Sequence, residues 1–301
     1  MKVGIPNGLL SYKYFPFFQT FFKELGTEVV TSPKTNKEIL DLGVKHCVDE
    51  ACVPVKVFHG HVASIKDKCD IILIPRIMQL RKREYICPKF CGLPEMVFNS
   101  IPNMPRIIGE PIYASTPREL GIWAKRVGSM FTSDYLKIQR AYKLAREVQV
   151  NYYTGINDDG FNINVALVGH PYNLYDEFLN MNLVKKLNAL GVGVVTEEHT
   201  DEQDIDKKVN ELFKKPFWTF ARNSYGFSTH LAESRKVDGI VYISSFACGI
   251  DSIVVELIKD KLSDFPILIL KIDEQTGEAG FNTRIEAFTD MLTMRKECSF
   301  A

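Results

Sequence analysis

Short apolar runs suited to buried strands alternate along the chain with segments whose apolar residues recur at helical spacing. That alternation is the pattern of an α/β protein built on largely parallel sheets. In the first half it predicts strands over residues 2–5, 28–31, 71–74 and 106–109. Helices are predicted over 14–25, closed by Gly26, over 36–42, stopped by Gly43, and over 54–66, with Pro54 in the first turn. Two more follow at 117–126 and 136–150, and a proline-punctuated loop fills 76–93.

The run NYYTGINDDGFN at 151–162 is polar and rich in turn residues, so it is the expected domain junction. Beyond it the theme restarts. Strands are predicted at 164–168, 192–196, 239–244 and 266–270. Helices are predicted at 176–190, capped by Gly191, and at 217–235, 250–259 and 279–294. The expected architecture is therefore two α/β domains, 1–150 and 151–301, each a parallel sheet flanked by helices in the Rossmann or flavodoxin-like manner. In such sheets ligands collect at the carboxyl ends of the strands, where loops lead into helices.

The 301 residues are ample for two hydrophobic cores. With 37 Lys+Arg against 37 Asp+Glu, the chain has no electrostatic footprint for nucleic acid or an anionic membrane surface. No apolar run nears the ~20 residues of a membrane span, and the N-terminal Met1–Pro6 reads straight into a strand and turn without a leader pattern. A cytoplasmic protein is expected. In that compartment the seven cysteines are packing residues, metal ligands or redox groups rather than a disulfide framework. Five of them, Cys47, Cys52, Cys69, Cys87 and Cys91, fall in one stretch.

Cys52 lies just before a helix, where unpaired N–H groups favour thiolate. Cys87 and Cys91 sit in a loop with Pro88 beside the first, and Cys248 follows a strand and precedes a helix. Thiolate sulfur in such loops suits iron–sulfur clusters, whereas a cysteine in a core is a small hydrophobe. Position leaves both readings open for Cys52, Cys87 and Cys248, and favours packing for Cys69 and Cys298. Zinc is the competing metal, but only Cys87/Cys91 and Cys47/Cys52 approach its paired spacing. His59 and His61, two apart on a helix, diverge too far to be a metal pair. No phosphate-binding glycine loop is present, so ATP hydrolysis by this chain is not expected. The turn at Gly169-His170-Pro171-Tyr172 could face a ligand or simply join strand to helix. Arg284, behind an acidic loop, could orient an anion or make a structural ion pair.

Taken in order, Val3-Gly4-Ile5-Pro6, Tyr14-Phe15-Pro16-Phe17-Phe18, Cys52-Val53-Pro54-Val55-Lys56 with Gly60-His61, Cys87-Pro88, Gly169-His170-Pro171-Tyr172, Ala247-Cys248-Gly249 and Thr283-Arg284-Ile285-Glu286-Ala287-Phe288 resemble the acyl-CoA dehydratase activase-related proteins. These are relatives of 2-hydroxyacyl-CoA dehydratase subunits and of double-cubane cluster proteins. The resemblance implies two α/β domains with an iron–sulfur cluster held between them. It implies Cys52, Cys87 and Cys248 as ligands of a [4Fe-4S] cluster, with Cys91 as the fourth and Cys47 as a further candidate. A larger cluster such as [8Fe-9S] is the alternative, and zinc a lesser one. Lys56, His61 and Arg284 are candidates for catalytic or cluster-tuning roles. The implied partners are a separate ATP-hydrolysing iron–sulfur activase, a longer homologous subunit, and an acyl-CoA or other small-molecule substrate, with no nucleic acid and no membrane. The implied function is that of a cluster-binding lyase or reductase subunit in an anaerobic, ATP-driven, low-potential dehydratase system. A non-catalytic electron relay or scaffold, or a zinc or small-molecule binding protein, is the alternative.

Overall fold

A computed structural model describes residues 1–299, the side chain of Ser299 excepted. The chain divides into two compact units, Met1–Tyr153 and Thr154–Ala301. Both are α/β, and every strand pairing in both sheets is parallel, as alternation of strand and helix requires.

The first unit runs β1 (Lys2–Ile5), α1 (Ser11–Glu24), β2 (Glu28–Thr31), α2 (Lys37–His46), α3 (Val53–Ile65), β3 (Ile71–Leu73), β4 (Arg76–Gln79), α4 (Pro88–Cys91), α5 (Leu93–Ser100), β5 (Arg106–Ile108), β6 (Pro111–Tyr113), α6 (Pro117–Gly128) and α7 (Tyr135–Val150). Its main sheet has the order β2-β1-β3-β5, and β4 pairs with β6 in a small second sheet. The aromatic face of α1 supplies the core: Phe17, Phe18 and Phe21 pack around Trp123 of α6 at centroid distances of 6.1, 5.7 and 5.5 Å. Local signals set the helix starts. Asn36 accepts a hydrogen bond from the Ile39 N–H, Thr116 and Glu119 form a capping box, and Asp134 accepts from Leu136 and Lys137.

The second unit runs β7 (Ile163–Gly169), α8 (Pro171–Leu174), α9 (Leu183–Ala189), β8 (Val192–Val195), α10 (Glu202–Val209), α11 (Thr219–Glu233), β9 (Gly239–Ser245), α12 (Gly249–Lys261), β10 (Ile267–Ile272) and α13 (Glu278–Ser299). Its sheet order is β10-β9-β7-β8. All of β9 is buried, as befits an interior strand covered by helices on both faces. The chain leaves β7 toward β8 on one side and later returns on the other as β9, so the topological switch point lies between the carboxyl ends of β7 and β9.

Several elements differ from the sequence expectation for identifiable reasons. The 76–93 stretch is not one loop but holds β4 and α4, too short and too rich in special residues to show a period. The helix expected at 176–190 is only α9, because Met181 and Asn182 both adopt left-handed backbone that breaks it. Gly43 does not stop α2; the helix continues to His46. There the missing side chain permits contact between helices. A Cβ on Gly43 would lie 2.1 Å from the Lys56 carbonyl oxygen, and one on Gly60 would lie 1.9 Å from that of Ile39.

Since both obstructions are backbone atoms, Gly43→Ala and Gly60→Ala are expected to push α2 and α3 apart. Each should lower stability by about 3 kcal/mol, the upper end of overpacking costs. Gly280→Ala in α13, where an added Cβ meets nothing within 4 Å, should be neutral or mildly stabilising. Urea unfolding of the three variants checks the contrast.

Candidate functional site

In the first unit, helix ends gather thiols. Cys47 terminates α2, Cys52 precedes α3, Cys87 precedes α4 and Cys91 is its last residue. Proline in the first turn of α3 and of α4 fixes both starts, and neither Cys52 nor Cys87 uses its side chain to cap its helix. All four are partly buried. They are near enough to act on one another electrostatically, Cys47 with Cys52, and Cys87 with both Cys52 and Cys91. Burial pushes the Cys47 thiol up to about 11, opposed by a hydrogen bond from the Val48 backbone and by the Lys56 and Lys89 charges. Burial raises Cys87 too, with the Lys89 backbone N–H pulling the other way. Lys89 also reaches the Glu50 carbonyl at 3.4 Å, tying α4 to the segment before α3.

The other candidates of this unit, Lys56, His61 and His59, are buried. Lys56 is buried on α3, one turn after Cys52. His61 is fully buried, with Nδ1 2.9 Å from the Ser32 hydroxyl and Nε2 3.0 Å from that of Thr35. His59 places Nδ1 2.8 Å from the Val55 carbonyl. Cys69 packs under β1, its thiol donating to the Ile65 carbonyl at 3.3 Å. At the carboxyl ends of β1 and β3 a small apolar pocket is lined by Ile5, Pro6, Phe18, Phe58, Phe90 and Leu93.

The second unit assembles a different set at its switch point. His170 follows β7, Cys248 follows β9, and Asp251 is the third residue of α12. Their donor atoms all lie within 4.8 Å of one another. His170 and Asp251 are only 2% and 1% exposed. Tyr172 Oη is 2.8 Å from His170 Nδ1, and Tyr242 donates to Asp251 Oδ1 at 2.7 Å. His170 Nε2 stands 3.4 Å from that same oxygen, while Asp251 Oδ2 has no hydrogen-bond partner. Burial, reinforced by the Asp251 charge, holds the Tyr242 phenol well above its usual range. Ser245 donates to Asn173 at 3.0 Å, joining the end of β9 to α8.

Two backbone features shape this corner. Gly169 has φ +146°, and a Cβ there would lie 2.2 Å from the Ile243 carbonyl oxygen, so glycine alone fits. Ala247, just before Cys248, holds φ +61°, a left-handed conformation that costs free energy and concentrates at functional sites. Arg284 lies away from this set in the sequence of elements, on α13, where its guanidinium donates to the Ile269 carbonyl of β10. Cys298, near the end of α13, is exposed and not packed as its sequence position suggested. Asp251 carries no functional signal of its own in the sequence, since an acid in a first helical turn already has a dipole explanation. The usable signal was Cys-x-x-Asp entering a helix straight after a strand.

Residues 2–200 match the family model described as the CoA enzyme activase uncharacterised domain, and residues 130–292 match that of the 2-hydroxyglutaryl-CoA dehydratase D-component. No curated protein matches the chain. Among solved structures it is similar to an Mn-bound periplasmic metal binding protein from Candidatus Liberibacter asiaticus, at 12% identity, 97% coverage of each chain and a TM-score of 0.26. It is also similar to an aspartate racemase homologue from Pyrococcus horikoshii, at 10% identity, 97% coverage of this chain, 99% of that one, and a TM-score of 0.24. Superpositions that loose bear on neither fold nor chemistry. Among the described residues no helix is long and apolar enough to cross a membrane.

Burial lowers the His61 pKa from 6.5 to about 4, so the folded state holds a neutral imidazole. The unfolded chain binds the proton first. Stability from this group is therefore complete above about pH 6.5 and is lost as pH falls toward about 4, amounting to about 3 kcal/mol. Urea midpoints measured across that range should fall in the wild type and fall less steeply in His61→Gln.

Proposed function

Because this chain belongs to the family of the 2-hydroxyglutaryl-CoA dehydratase D-component and CoA enzyme activase-related proteins, we propose that it is an iron–sulfur subunit of an acyl-CoA dehydratase-type system, fed by a separate ATP-hydrolysing activase. The observation that carries this reading is the thiol set of the first unit, in which Cys47, Cys52, Cys87 and Cys91 sit at the ends of α2, α3 and α4. Four soft donors on neighbouring helix ends are the donor chemistry of a [4Fe-4S] site. Cys52, Cys87 and Cys91 would hold the group, with Cys47 beside them. A cluster bound there would supply one-electron chemistry at low potential.

This chain's own residues prepare for that occupant. The raised thiols of Cys47 and Cys87 are protonated near neutral pH when no metal competes, so loading must release protons. The Lys56 and Lys89 charges near Cys47 favour its thiolate and would offset negative charge gathered at the site. Cys248, on the second unit beside His170 and Asp251, keeps the ligand role that the resemblance implies for it.

The presence of Cys47 in the same electrostatic set favours a second reading. Ligation by all four thiols leaves no iron open to substrate, and the subunit would then relay electrons rather than perform the dehydration. Addition of a small iron ligand to the loaded protein separates the two, since an open iron changes its spectrum and an all-thiolate cluster does not.

Anaerobically purified protein is expected to be brown and to contain iron and acid-labile sulfide. Cys52→Ser and Cys87→Ser should each lose most of both, while Cys69→Ser keeps them. Colourless protein with stoichiometric zinc would overturn the assignment. Reconstitution should also release protons and load more poorly as pH is lowered, whereas loading independent of pH would contradict the protonated thiols described above.

A further inference from the structure

Beside the thiols of the first unit the chain carries positive charge that its fold does not use. We propose that Lys82, Arg83 and Arg118, at the edge where β4 and β6 end, dock an acidic face of the protein that delivers electrons to this subunit. The partner's role rests on the function proposed above; the surface and its chemistry come from the residues themselves.

β4 and β6 pair in parallel, with Gln79 opposite Tyr113, and the Ala114 N–H donates to the Gln79 carbonyl at 2.8 Å. The segments that follow the two strands therefore leave from the same edge. After β4 the chain makes a tight turn. Arg81 and Glu84 form an antiparallel bridge, the Glu84 N–H donates to the Arg81 carbonyl at 3.1 Å, and the two side chains pair at 3.1 Å. Lys82 and Arg83 are the central residues of that turn. After β6 comes the start of α6, with Arg118 in its first turn. Lys82 lies near enough for its charge to act on Glu119, so the turn and the helix start are neighbours.

Structure alone does not account for these cations. Lys82, Arg83 and Arg118 are exposed, and among the described residues their side chains make no hydrogen bond or ion pair. The carboxylates nearby are engaged: Glu84 pairs with Arg81, and Glu119 accepts from the Ser115 hydroxyl at 2.6 Å and the Thr116 N–H at 3.1 Å in the capping box. A cation in a first helical turn opposes the helix dipole, as Arg118 does. Arg83 holds φ +64°, a backbone conformation that glycine adopts freely and a larger residue adopts at a cost. Fold stability would favour other residues at both positions.

The arrangement selects the partner. Lys82 and Arg83 are adjacent in a turn and Arg118 stands on another element, so the charges spread over an exposed edge instead of converging in a concave pocket around one small anion. Nucleic acid binding calls for a basic domain, whereas 37 cationic residues here balance 37 anionic ones. A face of carboxylates on a protein fits, since complementary charges at an interface rim steer encounter and fix orientation. Position gives the contact its use. Arg83 is four residues before Cys87, a reach of at most about 14 Å. The Ile86 N–H donates to the Met78 carbonyl at 3.2 Å and ties that short link to β4. A protein held by the turn stands beside the thiol set.

The test measures association of the full-length subunit with the purified activase of the same system, immobilised as the probe, under anaerobic conditions at rising salt. Wild type should associate fast at low salt and slow steeply as salt is added, as steering by exposed charge requires. Lys82→Glu combined with Arg83→Glu should slow association roughly tenfold at low salt and flatten the salt dependence. Arg83→Gly relieves the turn and should keep the thermal midpoint while slowing association several-fold, which separates docking from folding. Charge reversal at Lys214 and Lys215, exposed on the second unit, is the control and should slow it far less. Salt-independent association of the wild type, wild-type rates in either turn variant, or equal slowing by the control overturns the proposal. So does loss of fast association in millimolar free CoA or in duplex RNA at constant ionic strength, which would assign these cations to a phosphate ligand or to nucleic acid. Protein lacking iron and sulfide sinks the cluster reading, whereas association rates blind to these cations sink this one, so either can fail alone.

Discussion

The parallel register of β7 against β9 is the constraint on which the second unit's chemistry depends. Gly169 is paired with Ile243, and its lack of a side chain lets the β7 backbone pass close to the Ile243 carbonyl as the strand ends. β7 ends there while β9 runs two residues further, and the residues that follow, His170 after one and Cys248 after the other, come together at that end of the sheet. Asp251 joins them because α12 starts immediately after Cys248 and its first turn points the third residue back toward the strand ends. Tyr242 then reaches the carboxylate from within β9 itself. The donors are thus fixed by strand ends and a helix start, elements whose geometry is set by many backbone hydrogen bonds, rather than by loops free to wander.

The first unit solves a similar problem with helices. Gly43 and Gly60 allow α2 and α3 to approach until one helix meets the other's carbonyls, and that approach brings the end of α2 toward the start of α3. Cys47 and Cys52 occupy those two termini. The short α4 adds Cys87 and Cys91 at its two ends, braced by Lys89. Burial makes Cys47 and Cys87 reluctant to ionise alone, which keeps those two thiols unreactive until a metal competes for the proton. Membership in the dehydratase and activase-related family is the setting in which that thiol set is proposed to act.

Much of the fold was legible in the sequence because buried parallel strands are short β-branched runs bounded by turns, as in Val192–Val195 and Gly239–Ser245. Errors arose where one residue type serves two ends. Gly43 resembles a helix terminator, but its low helical propensity is outweighed by the close contact that it permits. Leu179, Leu183 and Leu187 keep an apolar period across a break made by Met181 and Asn182, so periodicity alone runs the helix too far. For the sites, cysteines next to helix starts were visible, and His170 was visible as part of a polar turn. Their grouping was not, since it follows from the strand order β10-β9-β7-β8, and no local pattern encodes which strands become neighbours.

Because the first unit is one uninterrupted stretch of chain, synthesis has a built-in timetable. Its final helix, α7, and the residues just after it anchor back on α1, Gln149 donating to the Lys13 carbonyl and Tyr152 to that of Tyr12. The N-terminal body can therefore close only once its last residues have left the ribosome, yet it can do so before β9 has been made. An emerging chain would thus present Cys47, Cys52, Cys87 and Cys91 already gathered while the rest of the polypeptide is still being translated.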